Sequence, residues 1–169
     1  MIVWWAPLHL ADVRLDTLLD ETELARLGRT TRQADRARWL LGAAVLRLAV
    51  AAETGTDPLS VRIDRTCADC GAQHGRPRVV TPAGSGLYVS VSHSGLVTAV
   101  AVGHEPLGID VQRAGTDAWV RREAAFKSGL EAPVFTVLHP PVRDHVAVLA
   151  HGPHVTVVDE RDAAALLPR

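Results

Sequence analysis

The clearest pattern along the chain is a helical repeat of apolar residues between about residues 31 and 54. This spacing predicts one face of a long helix, with Gly55 as its C-terminal stop. A second helix is predicted at residues 15–27 and a third at residues 116–128, each followed by a glycine. The apolar positions of the long helix are Leu40, Leu41, Ala44, Val45, Leu48, Ala49 and Ala52.

Residues 87–92 alternate between apolar and polar side chains, which predicts a strand with one polar face. The order of strands and helices then repeats once along the chain without any repeat of sequence. It predicts two α+β halves divided near Glu105, with residues 1–105 carrying the long helix and residues 106–169 forming a smaller half. Further strands are predicted at residues 2–5, 61–63, 97–102, 107–111, 134–138, 145–149 and 155–158.

The composition narrows the class of protein. The 169 residues are 47% hydrophobic, so a globular chain is expected rather than a disordered one. A net charge of −1 argues against a nucleic-acid or membrane partner. We find no signal peptide or membrane-spanning run, and the two cysteines fit a reducing compartment, so we expect a cytoplasmic protein. Any phosphate ligand must therefore be met by a local cluster of cations.

The predicted third helix carries aromatic, cationic and acidic side chains on one face. These are Trp119, Arg122, Glu123, Phe126 and Lys127, and Lys127 is the only lysine among 18 basic residues. One interpretation is a solvated helix with a Glu123–Lys127 pair. In the other, the two aromatic residues are the buried anchor, while Arg122 and Lys127 reach a phosphate and Glu123 binds a metal.

Asp110 lies within an apolar segment at residues 107–111, so its carboxylate is expected to be buried and to need a partner. It could accept hydrogen bonds from backbone amides, or it could bind Mg²⁺, which takes one or two carboxylates together with phosphates and waters. Glu123 would supply the second carboxylate. Gln112, on the same strand face as Asp110, would be a weak neutral ligand or hold a metal-bound water.

Ser92 and His93 lie where the alternating strand meets a turn at Gly95. Adjacent serine and histidine do not place a base on a nucleophile, and no Gly-x-Ser-x-Gly motif is present. Their hydroxyl and imidazole donors therefore favour phosphate binding over nucleophilic catalysis. Hydrogen bonds within the turn are the structural alternative.

A loop before the alternating strand contains three candidate zinc ligands, Cys67, Cys70 and His74. Structural zinc sites normally have four protein ligands, and the second pair of a zinc ribbon is missing here. Arg76, just downstream of these three residues, is a cation that precedes Pro77 in a rigid turn. Arg47 interrupts an apolar helix end and is therefore predicted to point at a partner or a ligand.

Taken together, these segments resemble the Sfp-type 4′-phosphopantetheinyl transferases over about residues 1–129. The resemblance implies a pseudo-twofold pair of α/β half-domains, each a small, mainly antiparallel sheet packed on a helix, with coenzyme A in the cleft between them. It also implies transfer of the phosphopantetheine arm of coenzyme A to a serine of an apo acyl or peptidyl carrier protein, in secondary metabolite biosynthesis, with release of 3′,5′-ADP. The matching motifs are Trp4-Trp5, Asp35-Arg36-x-Arg38-Trp39-Leu40-Leu41-Gly42, Cys67-x-x-Cys70-Gly71-x-x-His74-Gly75-Arg76-Pro77, Ser90-x-Ser92-His93-Ser94-Gly95, Gly108-Ile109-Asp110 and Trp119-x-x-Arg122-Glu123-Ala124-x-x-Lys127.

The resemblance implies a role for each matching site residue. Asp110 and Glu123 would hold Mg²⁺ on the diphosphate with Gln112 beside them, and Glu123 would also help to deprotonate the carrier serine. Together with Lys127, these two acidic residues form the implied catalytic set. Arg122 stands where the family usually has a lysine, which preserves the charge but changes the geometry. The residues implied to contact the coenzyme phosphates are Arg47, Arg76, Ser92, His93, Arg122 and Lys127.

Two departures from the family pattern keep other functions open. Gln112 stands where the family commonly has glutamate. Only 13 positions separate Asp110 from Glu123, where family members have some tens of residues that help to form the carrier-docking face. A degenerate relative would bind coenzyme A or a carrier protein without transfer, or serve other chemistry. A zinc-dependent interaction module built on the two cysteines and the nearby histidine is the third alternative.

Overall fold

The structure is a computed structural model that describes residues 1–168. Within this range the chain forms a mixed α+β fold. The strands are β1 (Ile2–Pro7), β2 (Arg62–Asp64), β3 (Arg78–Thr81), β4 (Tyr88–Ser94), β5 (Val97–Gly103), β6 (Leu107–Arg113), β7 (Val134–Leu138), β8 (His145–His151) and β9 (Asp159–Asp162). The α-helices are α1 (Glu21–Arg29), α2 (Gln33–Thr54) and α3 (Asp117–Ser128), and short 3₁₀ helices span Leu8–Leu10, Val13–Leu18, Pro58–Ser60 and Ala163–Ala165.

Two sheets lie face to face at the centre of the molecule, and a helix covers the outer face of each. The strand order is β4-β5-β1-β9 in the first sheet and β6-β8-β7 in the second, while β2 and β3 pair separately. Trp5 of the first sheet shares a core cluster with Ile109 and Leu149 of the second. α2 packs on the first sheet, and α3 packs on the second through Val120 and Ala124. Each half is therefore a mainly antiparallel sheet packed on a helix, which confirms the predicted fold class.

The helix ends follow the capping residues. The predicted long helix is confirmed as α2, and Gly55 after it has a φ of 66°, in the left-handed region that favours glycine. The single helix predicted at residues 15–27 is wrong, because Asp20 begins a new helix there: its side chain accepts from the Glu23 amide, and the Glu23 side chain accepts from the Asp20 amide. Among residues 1–168, none of the helices has both the length and the apolar character that crossing a membrane requires.

The end of the chain differs most from the prediction. The strand predicted at residues 155–158 is wrong, and β9 forms instead at residues 159–162, parallel to β1 at the edge of the first sheet. The Trp5 indole donates a hydrogen bond to Glu160 at 2.8 Å. The second sheet is built wholly from residues after Glu105, but β9, which also follows Glu105, pairs into the first sheet.

Candidate functional site

The candidate site lies where β4 and β6 run side by side, one strand from each half of the fold. The Ser90 hydroxyl accepts a hydrogen bond from the Ile109 amide at 3.1 Å, and the Ser92 hydroxyl accepts one from the Val111 amide at 3.2 Å. Ser90 and Ser92 are two residues apart on β4, so their side chains point to the same side of the strand. The polar face predicted for β4 is therefore the surface that joins the two halves.

Asp110 is the charged centre of this junction and is only 1% exposed. Lys127 Nζ lies 2.6 Å from its Oδ1, and Ser92 Oγ donates to the same oxygen at 2.7 Å. Oδ2 accepts a longer hydrogen bond, 3.3 Å, from the Gln112 side chain. A carboxylate buried this deeply needs a cation and donors, and the junction supplies both. Because the Ser92 hydroxyl both donates and accepts here, it is not available for the predicted phosphate contact.

Gly108 allows α3 to approach β6 closely enough for Lys127 to reach Asp110. A Cβ atom at this position would lie 2.8 Å from the Lys127 carbonyl carbon and closer still to backbone atoms of Ala124 and Ser128. Only a residue without a side chain fits against the helix backbone at this distance. The single lysine of the chain is thereby held over the buried carboxylate.

The residues that anchor α3 are not the predicted ones. Trp119 is 50% exposed and Phe126 is 66% exposed, so the predicted aromatic anchor is wrong. Val120 and Ala124 make the contact with the second sheet instead. Small side chains are needed on this face because the helix backbone touches the strand at Gly108.

Glu123 lies one turn before Lys127 on α3 and on the same side of the helix. The surface pair between the two is not formed, since Lys127 bonds to Asp110 and to the Ile109 carbonyl oxygen at 3.2 Å. Within residues 1–168 the Glu123 side chain has no ion pair or hydrogen bond. Arg122 beside it is exposed and likewise has no charged partner in this part of the chain.

Three oxygen-bearing side chains near the junction are the predicted magnesium ligands: Asp110, Glu123 and Gln112. Mg²⁺ takes one or two carboxylates together with phosphates and waters. Both carboxylate oxygens of Asp110 already accept hydrogen bonds, from Lys127 and Ser92 on one side and Gln112 on the other, so a metal ion would have to displace a donor there. Gln112 adds a neutral side chain that already lies 3.3 Å from Asp110. None of the three predicted metal ligands is a sulfur or imidazole donor, so together they would suit a hard cation.

His93 lies at the end of β4 next to two cations. Although the residue is exposed, crowding by neighbouring protein atoms and then the positive charges of Arg38 and Lys127 lower its pKa below the usual 6.5. The imidazole is therefore neutral at neutral pH. Arg38 is not singled out as a site residue by the sequence; its Nε donates to the Gly95 carbonyl oxygen at 2.8 Å and ties α2 to the turn after His93. The sequence feature that could have identified Arg38 as a site residue is its position in the Asp35-Arg36-x-Arg38 motif.

Arg76 extends from the loop between β2 and β3 to the end of α3. Its guanidinium carbon lies 4.7 Å from the centre of the Phe126 ring, at a cation–π distance. Phe126 precedes Lys127 in the sequence, so this contact brings a cation of the N-terminal half to the helix that carries the buried lysine. Arg76 therefore lies against α3, while its contact with a coenzyme phosphate stays a prediction.

Arg47 has a different environment from the one predicted for it. Its guanidinium is buried in the N-terminal half, where it bonds to Glu23 at 2.7 Å, to Asp20 at 2.6 Å and to the Val61 carbonyl oxygen. Arg65 pairs with the same Glu23 at 2.7 Å. Every nitrogen of the Arg47 guanidinium already has a protein acceptor. A coenzyme phosphate could bind there only by displacing these acceptors, so the predicted contact has no support.

The sequence matches no model of a known protein family and no curated protein. The family resemblance of the motifs therefore stays a prediction. The geometry around Asp110 is the basis on which a function can be proposed.

Proposed function

We propose that the protein is a Mg²⁺-dependent transferase that moves the 4′-phosphopantetheine arm of coenzyme A to a serine of an apo acyl or peptidyl carrier protein. The observation that carries the proposal is the junction at Asp110, where a buried carboxylate meets the only lysine of the chain between the two halves of the fold. A diphosphate bound through a metal requires carboxylates for the metal and cations for the phosphate oxygens. The carboxylates are those of Asp110 and Glu123. The cations are Lys127, Arg122 and Arg76.

The reaction would begin with attack of the carrier serine oxygen on the phosphorus that bears the pantetheine arm. A new oxygen–phosphorus bond forms, the bond from that phosphorus to the bridging oxygen breaks, and 3′,5′-ADP leaves with the electron pair. Glu123 would accept the serine proton, because its carboxylate is not engaged elsewhere in the described residues. Lys127 would neutralise charge on the phosphates, and the neutral ring of His93 would donate a hydrogen bond to them. A bound Mg²⁺ supplies further neutralisation of the diphosphate.

The direct experiment is incubation of the protein with coenzyme A, Mg²⁺ and a panel of apo carrier proteins, followed by intact-mass measurement. One phosphopantetheine group should be added to a carrier, and the reaction should stop when Mg²⁺ is chelated. Glu123→Gln should slow transfer by roughly 10²- to 10⁴-fold, the usual contribution of a general base. Glu131→Gln is the matched control, because Glu131 is exposed and lies beyond α3. No mass gain on any carrier at saturating coenzyme would contradict transfer.

A second candidate function is binding of coenzyme A or a carrier protein without transfer. The observation that favours it is the short connection after Asp110: β6 ends at Arg113, α3 begins at Asp117, and Ala114, Gly115 and Thr116 alone join them. So short a connection leaves little surface on which a carrier could dock. Calorimetry that detects Mg²⁺-dependent coenzyme binding, together with no mass gain on any carrier, would identify this function.

A further inference from the structure

The loop between β2 and β3 holds three metal donors that the proposed function does not use. The sulfur atoms of Cys67 and Cys70 and a ring nitrogen of His74 all lie within 4.8 Å of one another. Cys70 Sγ is 3.0 Å from His74 Nε2, and both cysteines are free thiols. Among residues 1–168 no second cluster of three histidine, cysteine or acidic ligands is found. These donors are therefore a site of their own, with chemistry unlike that around Asp110.

The backbone from Cys67 to Ala72 forms a tight turn. Gly71 N donates to the Cys67 carbonyl oxygen at 2.9 Å, and Cys67 N donates to the Ala72 carbonyl oxygen at 2.8 Å. This turn keeps Cys67 and Cys70 close together at the end of the loop.

We propose that Cys67, Cys70 and His74 bind one Zn²⁺ ion, with a water molecule in the fourth position. Two sulfurs and an imidazole nitrogen are donors of zinc sites and not of magnesium sites, and the Cys-x-x-Cys spacing is typical of them. Tetrahedral bonds of ~2.3 Å to sulfur and ~2.0 Å to nitrogen separate the donor atoms by roughly 3.5–3.8 Å. The separations in the loop, from 3.0 Å to at most 4.8 Å, bracket that range. Side-chain movements of about 1 Å complete the site, and each thiol releases its proton to solvent on binding.

The ion would cross-link the tip of the loop between β2 and β3. The same loop carries Arg76, which contacts Phe126 of α3. Besides the bonds of the turn, the Gln73 carbonyl oxygen accepts from the Arg26 side chain of α1 at 2.7 Å, and Gly75 N donates to the Arg65 carbonyl oxygen at 2.7 Å. A zinc ion would add a further restraint and keep Arg76 in place against the second half of the fold. The site itself does not depend on coenzyme binding or transfer.

Metal content and spectroscopy of the full chain test this proposal. The protein is purified under reducing conditions and exchanged into zinc-free buffer with excess Mg²⁺, so that the oxygen donors at Asp110 are saturated. About one equivalent of zinc should remain bound, as expected for a single site. Replacement by Co²⁺ should give an absorption band for charge transfer from thiolate to cobalt. Wild-type protein with far less than one equivalent of zinc and no such band would overturn the proposal.

Variants assign the ligands. The double variant Cys67→Ser, Cys70→Ser should lose both the zinc and the cobalt band, and His74→Gln should weaken zinc binding at least ~10-fold. His154→Gln is the matched control, because His154 is exposed and distant from the loop in sequence. Zinc retained in full by the double serine variant would also overturn the proposal; if that variant does not fold, the cobalt band of the wild type decides. Glu123→Gln should keep its zinc, so failure of transfer and failure of zinc binding are distinguishable.

Discussion

Replacement of Gly108 by alanine would force α3 away from β6. The added methyl group would lie 2.8 Å from the Lys127 carbonyl carbon and closer still to two other backbone atoms of the helix. A helix backbone cannot rotate aside as a side chain can, so α3 must shift and expose part of Val120 and Ala124, both fully buried at 0%. Overpacking costs about 1–3 kcal/mol, and backbone contact puts this variant at the upper end, about 3 kcal/mol. At about 2–4 °C per kcal/mol for a chain of this length, Tm should fall by about 6–12 °C.

Thermal unfolding followed by circular dichroism measures the change in Tm, and urea unfolding measures the free energy of unfolding independently. The matched control is Gly28→Ala, because Gly28 lies in α1 and a Cβ atom there would meet nothing within 4 Å. This control should raise stability by about 0.5–1 kcal/mol, since alanine is the better helix former. If Gly108→Ala unfolds within about 1 °C of the wild type, the close contact between α3 and β6 is refuted.

Two further predictions concern the charges at the junction. Lys127→Met should lower the free energy of unfolding by about 3 kcal/mol, because Asp110 would stay buried without a cation, and an unchanged urea midpoint would contradict the pairing. His93 should titrate below pH 6.5 in an NMR titration of its ring protons assigned with His93→Asn, and Arg38→Gln should move the midpoint upward. Since the pKa is depressed in the folded protein, the unfolded chain takes up the proton first, so His93 reduces stability as the pH falls below 6.5 and has no effect well above it. A midpoint above 6.5 would contradict the lowering of the His93 pKa by surrounding protein atoms and by the two cations.

The two longer helices could be predicted because their sequences carry the necessary signals locally. The apolar repeat of α2 and the glycines that follow α2 and α3 depend only on nearby residues. The same holds for β4, whose alternation predicts a polar face. The identity of the partner on that face could not be read from β4 alone, because Ser90 and Ser92 bond to a strand on the other half of the fold.

β9 could not be predicted from its own residues. Residues 159–162 are Asp-Glu-Arg-Asp and show neither apolar alternation nor β-branched side chains. The strand forms because β1 offers an unpaired edge, to which Asp159 N donates a hydrogen bond at the Met1 carbonyl oxygen, 2.9 Å away. Such a strand depends on its neighbour, and only the folded sheet reveals it.

The candidate site could be predicted only in part, because its residues carry local signals but their pairing depends on how distant elements pack. Asp110 was identifiable as a carboxylate within an apolar run, and Lys127 as the only lysine. Their direct pairing depends on how closely α3 packs at Gly108, which the spacing of residues does not reveal. The interruption of an apolar face by Arg47 was a real signal of a partner. That partner is a pair of carboxylates at α1, and not a ligand.

The pairing of β1 with β9 has a consequence for the order of folding. Almost the whole described chain lies between the two strands, so their contact closes a long loop and is expected to form late. β1 can pair with β5 earlier, which leaves its other edge with unpaired amide and carbonyl groups until β9 arrives. During synthesis from the N-terminus, an apolar strand with an open edge is the part of the molecule most prone to pair with another chain. The short polar segment at residues 159–162 thus covers this edge in the folded protein, but not while the chain is still being synthesised.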